Sequence, residues 1–447
     1  MPAATSMRLS MASNDFTRRR ETVKAHKSAT AMKRINDTVL KSGDIILTTS
    51  TEAVSKAIRI ATRSDISHAM VCVEGHSVID ATAEGVQARN TQRLFYEDGC
   101  SIYILRLRKG FTNAQLNAVI TFMRAQIGTQ YSTKEAAQTA LGGTRRPSRK
   151  QFCSRLVAQA FSHAGIELVG NVNFCSPADL KESPLLMAIG NPAIEVPAEE
   201  KARWDKHVDS TEIMRKAIND VFAGARAKNK DIQTFDDVHR HLVENPEDDD
   251  AFCALLERSG YLMLWQIELE KNPWQYDVAL MNGHNSEEVE AYCRMTLRDQ
   301  ESGPHRYIVN RGAYRLFSRQ FGFRFFHAMA ELYQHLASLH AQRIKTATAW
   351  LTMRGHPLPA RPPELVPHTP EWFASLEQWD PPQAMMTRVV IDAVGRSDVC
   401  SGCGDDPASD YVLEESQRPL GGPSTLRLCS DCLGIRRSAG EYYVPLT

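Results

Sequence analysis

The sequence has no apolar run of the roughly 18 residues that a bilayer-spanning helix needs, and its 447 residues carry no surplus charge, since Lys+Arg and Asp+Glu both number 53. The first absence excludes a transmembrane helix. The second argues against a nucleic-acid partner, because binding phosphate by bulk charge needs a basic surplus. The opening stretch MPAATSMRLSMASNDFTRRR lacks the apolar centre of a secretory signal peptide. It contains Arg and Ser and has no acid before Asp15, which fits a mitochondrial transit peptide or a disordered arm; the arm is the reading adopted, with Arg18, Arg19 and Arg20 as a solvated face. The chain is therefore expected in the cytoplasm. Its ten cysteines are read in a reducing compartment, where they serve metal binding, catalysis or burial in preference to disulfides.

A composition of 43% hydrophobic and 24% charged residues is that of a globular protein, and the length calls for two or three domains. Residues 1–40 read as an arm followed by a polar helix. Residues 41–190 read as α+β. SGDIILTTS is a strand behind a turn, TEAVSKAIRIAT is a helix that Thr51 can cap, and SHAMVCVEG and HSVIDATAEG are strands meeting in a hairpin at Glu74-Gly75-His76. CSIYILRLR is a further strand. Helices are predicted over TNAQLNAVITFMRAQIG, STKEAAQTAL and FCSRLVAQAFSHAGI. Residues 195–355 carry helical patterns, 356–385 form a Pro-rich linker, and 386–447 form a small cysteine-bearing module.

Cys153 follows a loop and opens an amphipathic helix. There the unpaired backbone N–H groups and the helix dipole favour a thiolate, and the same amides can hold an oxyanion. Arg145, Arg146, Arg149 and Lys150 in the preceding loop add positive charge. His68 heads a strand on which alternation puts His68, Met70 and Cys72 on one face. Asp80 lies on the next strand, so a turn near Gly75 makes it a neighbour of His68 and able to fix the imidazole tautomer. His76 falls at the turn and is the poorer orienter. The plain alternative is an inert cysteine and a packed strand histidine.

GDIIL at 43–47, Ser67-His68-Ala69-Met70-Val71, Val78-Ile79-Asp80-Ala81, the Gly128 to Tyr131 loop, Phe152-Cys153-Ser154 and Ser176-Pro177-Ala178-Asp179-Leu180 follow one another in a family's order. Over about residues 40–187 the chain resembles the permuted papain-like amidases of the YiiX/YaeF-like group, within the NlpC-type hydrolase superfamily. More distantly it is similar to lecithin–retinol acyltransferase-like enzymes. The resemblance implies a permuted papain-like antiparallel sheet with packed helices. It implies Cys153 as nucleophile, His68 as base and Asp80 as orienter, with Tyr131 and Ser154 at the oxyanion or substrate. Tyr131 is equally readable as a half-buried loop aromatic. The family often has Glu at the position of Asp80, and an acid at those of Ser132 and Arg155; the shorter Asp changes the reach to His68, and a basic Arg155 alters substrate charge preference. The implied chemistry is acyl transfer from an amide, ester or thioester, with no catalytic cofactor. Substrates would be peptides, peptidoglycan-like peptides, or acyl lipids and acyl proteins. A cell-wall target would require export by a specialised secretion system.

Cys400-Ser-Gly-Cys403 and Cys429-Ser-Asp-Cys432 are two C-x-x-C pairs separated by twenty-five residues. Two such turns close a tetrahedral four-thiolate site, so a structural zinc is expected in a zinc-ribbon-like module. Arg427, Arg436 and Arg437 are its candidate surface for a protein partner. In the middle of the chain, Trp204, Trp265, Trp274, Tyr292, Phe325 and Phe326 are expected in the core. The acidic run Glu247 to Asp250 is expected in a helix-start loop, and no histidine pair there has ligand spacing. Besides the hydrolase reading stand two alternatives: an inactive scaffold that binds partners through the ribbon and helices, and a lipid acyltransferase or phospholipase-like activity.

Overall fold

The structure, a computed structural model, describes residues 32–49, 64–140, 147–301, 306–358, 364–414, 417–418, 422–438 and 441–446. The expected helix over 51–62, the Arg18–Arg20 triplet, and Arg145 and Arg146 lie outside these residues.

The first half is built on a six-stranded antiparallel sheet in the order β5-β4-β3-β2-β7-β8. Its strands are β2 (Ile45–Thr48), β3 (His68–Glu74), β4 (Ser77–Thr82), β5 (Gly85–Asn90), β7 (Ile102–Leu107) and β8 (Leu186–Ala188). A second, three-stranded sheet joins β1 (Met32–Ile35), β6 (Phe95–Glu97) and β9 (Ala193–Val196) in the order β6-β1-β9. β1 falls where a polar helix was expected. Four residues are too few to display alternation, and what makes them a strand is pairing with β9, remote in sequence, where Met32 faces Val196 and Ile35 faces Ala193.

β2 is buried along its whole length between β3 and β7, which explains why its sequence is a continuous apolar run. Against one face of the large sheet pack α1 (Asn113–Ala125), closed by a Thr112/Gln115 capping box, and α3 (Cys153–His163). Between them runs α2 (Thr133–Ala140), and after them α4 (Pro177–Lys181), capped by Ser176 and opened by Pro177. Leu156, Val157 and Phe161 of α3 are fully buried against Ala69, Val71 and Ile79; each such side chain contributes about 1.5–3 kcal/mol. The opposite face packs Met70, Cys72, Val78 and Ile104 against Ile35 of β1.

Helices dominate from Ala198 to Met353, ending in a thirty-residue helix, Arg324–Met353. Phe325 and Phe326 are fully buried and Trp265 packs beside them, while Trp274 and Tyr292 pack on a separate cluster around Trp350. The acidic run opens the helix Asp249–Arg258, and Asp249 accepts hydrogen bonds from the amides of Arg324 and Phe325.

Toward the C-terminus, Pro370 and Pro381 do not mark linker. Each opens a helix, Pro370–Trp379 and Pro381–Val394, at a first-turn position where a missing N–H costs nothing. Trp372, Phe373 and Leu376 of the first helix share one core with Cys400, Leu426, Cys429 and Tyr443. Strands β10 (Ser409–Leu413), β11 (Thr425–Leu428) and β12 (Tyr443–Pro445) form the sheet of this region, in the order β11-β10-β12. No helix among the described residues is long and apolar enough to cross a membrane.

Candidate active site and four-cysteine cluster

The β3–β4 hairpin turns at Gly75, whose φ is +34°, and its register sets Met70 opposite Asp80. His68, two residues back on the same face, is thereby a diagonal neighbour of Asp80, and His68 Nε2 lies 2.9 Å from Asp80 Oδ2. By alternation both belong to the face of Met70, whereas α3 packs on the other. The two groups meet at the end of the sheet, because His68 is the first residue of β3 and Cys153 the first of α3. The Cys153 thiol lies 4.0 Å from the Ser67 carbonyl. Burial alone would depress the basicity of His68, but hydrogen bonds to Asp80 and Cys153 and the charges on both outweigh it and push its pKa up to about 10. With Nε2 engaged by Asp80, Nδ1 is the ring nitrogen left for Cys153.

Asp80 is 2% exposed and carries a second cationic partner. Arg89 Nε donates to Asp80 Oδ1 and Oδ2 at 2.9 and 3.1 Å, and its Nη2 donates to Thr82 Oγ1 and Glu84 Oε2 at 2.8 and 3.1 Å. Burial works against the Asp80 carboxylate, but His68 and Arg89 win and hold it below its ordinary range. Arg89 was not identified from the sequence. The signal was there in Gly85-Val-Gln-Ala-Arg-Asn90, an alternating strand behind the Glu84-Gly85 turn, with Val86 and Ala88 on the core face and Gln87 and Arg89 on the face of Asp80. His76 stands at the turn and pairs with Asp37 at 2.9 Å, away from His68.

Phe152 precedes α3 in an extended conformation and supplies no side-chain cap. The first intrahelical bond joins Leu156 N to Phe152 O at 2.9 Å, so the amides of Cys153, Ser154 and Arg155 have no helical acceptor. Tyr131, Phe152, Cys153, Ser154, Cys175 and Pro177 line a narrow pocket at this end of the helix. The Tyr131 segment is brought there by a parallel bridge to Gln151 and by Ser132 N donating to Gln151 O at 2.7 Å. The Ser154 hydroxyl is committed elsewhere, donating to the Cys175 carbonyl at 2.7 Å, so only its amide remains for an oxyanion.

Arg155 faces inward, fully buried. It donates to Asn173 O at 2.8 Å, Lys150 O at 2.9 Å and Glu135 Oε2 at 3.1 Å. It is a brace, and the expected influence on substrate charge does not fit this position. Burial raises the Glu135 carboxyl, but Arg155 and Ser148 outweigh it and hold it at about 2. Glu135→Gln would leave a buried, uncompensated guanidinium, at an expected cost of about 3–5 kcal/mol. Because the folded pKa is lowered, the wild-type advantage should be complete above the ordinary value of 4.5 and vanish as pH falls toward about 2. Thermal unfolding midpoints of the two proteins across pH 2–6 would measure it; equal midpoints at pH 6 would contradict it.

The helical region braces both loops beside Cys153. Gly128 adopts φ +95°, and a Cβ there would fall 2.1 Å from the Phe222 ring. Gln130 N donates to Gln233 Oε1 at 3.0 Å, Gln87 Nε2 to Asn219 Oδ1 at 2.8 Å, and Arg149 Nη1 to Asp231 O at 3.1 Å.

The four cysteines Cys400, Cys403, Cys429 and Cys432 bring their sulfurs within 4.8 Å of one another, a grouping able to hold a metal ion. Cys400 and Cys403 flank a turn, Cys429 directly follows β11, and Cys432 lies in the first turn of the helix Ser430–Ser438. Gly402 N donates to Cys400 Sγ and Cys432 N to Cys429 Sγ, each at 3.5 Å. Arg427 is tied to Asp410 at 2.6 and 2.9 Å, Arg436 to Glu441 at 2.9 Å, and Arg437 to Tyr443 O at 3.0 Å. The expected basic docking patch is thus committed within the module.

This arrangement agrees with the class that comparison gives. Residues 39–190 match the family described as permuted papain-like amidase enzyme, YaeF/YiiX, C92 family, and the fold of that segment is accordingly a papain-like one joined to helices and a four-cysteine cluster. Among solved structures, the crystal structure of metalloprotein yiiX from Escherichia coli O157:H7 is similar at 19% identity, covering 34% of this chain and 97% of that chain with a TM-score of 0.26. No curated protein matches.

Proposed function

We propose that the sheet domain is a cysteine hydrolase that forms an acyl-enzyme at Cys153, with His68 as base and Asp80 as orienter. The observation that carries this reading is the line of Cys153, His68 and Asp80, in which Asp80 holds Nε2 at 2.9 Å and so turns Nδ1 to the thiol. With the thiol proton already held on His68 as imidazolium, Cys153 would attack the carbonyl carbon as its thiolate, and the oxyanion would lie against the amides at the start of α3 that have no helical acceptor. The imidazolium would then protonate the leaving group, and water would release the acyl group with His68 again as base. Tyr131 lines the pocket at the place where the substrate carbonyl would enter. The family's description names an amidase, and an amide in a peptide-like substrate is the bond we assign.

Arg89 is a positioning residue in this scheme: it fixes both oxygens of Asp80 and offsets part of its charge. Asp80→Asn removes an interaction that raises the His68 pKa, so the alkaline limb of hydrolysis, expected near 10 from the folded His68, should move to lower pH. Arg89→Gln should move it the other way, because Asp80 is then less compensated, and should lower the rate by about 10- to 100-fold through looser geometry. Rate profiles from pH 5 to 11 would test both; unshifted limbs in both variants would contradict the roles given to His68 and Asp80.

The four-cysteine cluster is assigned to a structural zinc. Four thiolates leave no open coordination position, and the N–H···S contacts at Cys400 and Cys429 are suited to sulfurs that carry charge.

A further inference from the structure

A second polar cluster lies at the opposite end of the β3–β4 hairpin, where the turn meets α1 and the helices Arg306–Phe321 and Arg324–Met353. Its members, Glu74, Arg124, Arg306, Tyr307 and Arg343, are all half-buried. Glu74 Oε2 accepts from Arg124 Nη2 at 2.7 Å and lies 3.4 Å from Arg306 Nη1. Arg306 Nη2 donates to the Tyr307 hydroxyl at 3.0 Å. Arg343 interacts electrostatically with Tyr307, Tyr276, Tyr292 and Glu74. Its Nε is buried with no hydrogen-bond partner among the described residues. One turn earlier on that helix, the His340 ring packs edge-on against Tyr307 at 6.1 Å.

Three guanidinium charges less the Glu74 carboxylate leave +2 in a partly desolvated space. The surrounding groups register that field. Burial raises the Tyr307 phenol, yet Arg306 and Arg343 outweigh it and bring it below its ordinary value. Burial, with Arg343 contributing, pushes His340 down to about 3, so it adds no cation of its own near neutral pH. A buried guanidinium whose Nε is unmatched is costly, and the missing partner is defined by what remains: close to two negative charges, and oxygens spaced to receive a planar fork. A phosphate group supplies both, carrying about −1.5 to −2 near neutral pH and accepting paired guanidinium hydrogen bonds.

We propose that this cluster binds a small phosphate-bearing anion, with Arg343 and Arg306 as its ligands and Glu74 with Arg124 holding the floor of the site. The experiment is thermal unfolding of the full chain during titration with sodium pyrophosphate, against sodium chloride at equal ionic strength. The expected result is a saturable rise in the unfolding midpoint, with at least ten-fold weaker dependence in Arg343→Gln. Relief of like-charge repulsion should also let Arg343→Gln unfold in chloride at a temperature no lower than wild type. Arg306→Gln provides the same reading through the second guanidinium should the first variant fail to fold. The absence of a saturable rise in wild type, or an equal rise at equal pyrophosphate in the arginine variants, would overturn the proposal.

Discussion

Cys153→Ala is expected to lower hydrolysis by about 10⁴-fold or more while leaving the fold in place, because it removes the atom proposed to form the covalent intermediate. Cys153 is 4% exposed and its side chain is one of many lining the core under α3, so alanine deletes a single sulfur and little packing. The comparison should be made on peptide, lipid-ester and thioester substrates in parallel. Loss on the peptide substrate alone supports the amide assignment; loss on the lipid ester alone keeps the nucleophile and reassigns the substrate to the lipid class. Retention of full activity by the alanine variant on every substrate that wild type turns over would remove Cys153 from the mechanism. Ser154→Ala is the useful contrast: its hydroxyl is spent on the Cys175 carbonyl, so the backbone amide, which alanine keeps, is all that it offers an oxyanion.

Loss of the proposed zinc is the second large expected effect. The core around the cysteines is small, and metal binding to four thiolates supplies folding free energy of about 10–16 kcal/mol in isolated structural sites. Protein purified without chelator is expected to carry zinc, and Cys429→Ser to lose it. Trp372 reports the consequence, since it is fully buried beside Cys429 and its indole donates to the Thr425 carbonyl at 2.9 Å. Stripping the metal should therefore shift its emission to longer wavelength and expose the module to proteolysis. Hydrolysis by the sheet domain should survive, because none of the four cysteines lines the pocket at Cys153. Metal-free protein with unchanged emission and proteolysis would contradict a structural role.

What could be read from the sequence follows the range of each interaction. The hairpin at Gly75, the helix opened by Cys153 and the paired C-x-x-C turns are local patterns, and spacing alone places their residues. The ordered motifs then pointed to a permuted papain-like arrangement, which the family match over residues 39–190 bears out. Contacts made between distant segments were not readable in the same way. β1 exists because Met32 to Ile35 find β6 and β9. Arg155 was expected to influence substrate charge preference, because nothing local in the sequence shows that its guanidinium is buried on Glu135 and two carbonyls gathered from separate loops. Arg89 was missed for a different reason: its strand alternates, but its value lies in a bifurcated contact from Nε to both Asp80 oxygens that only the sheet register reveals. The tryptophans of the helix Pro370–Trp379 were similarly hidden behind prolines that read as linker.

The most direct test is the identity of the cysteine first labelled by iodoacetamide in the folded protein purified without chelator, read by peptide mass spectrometry. Cys175 is the internal control, because it lines the same pocket, while burial pushes its thiol up to about 12. Cys72 provides a second, with its thiol likewise pushed up to about 12 by burial. Cys153 should be modified first, and Asp80→Asn should slow this labelling while leaving Cys175 unlabelled. Labelling of Cys175 or Cys72 with Cys153 unmodified would contradict it.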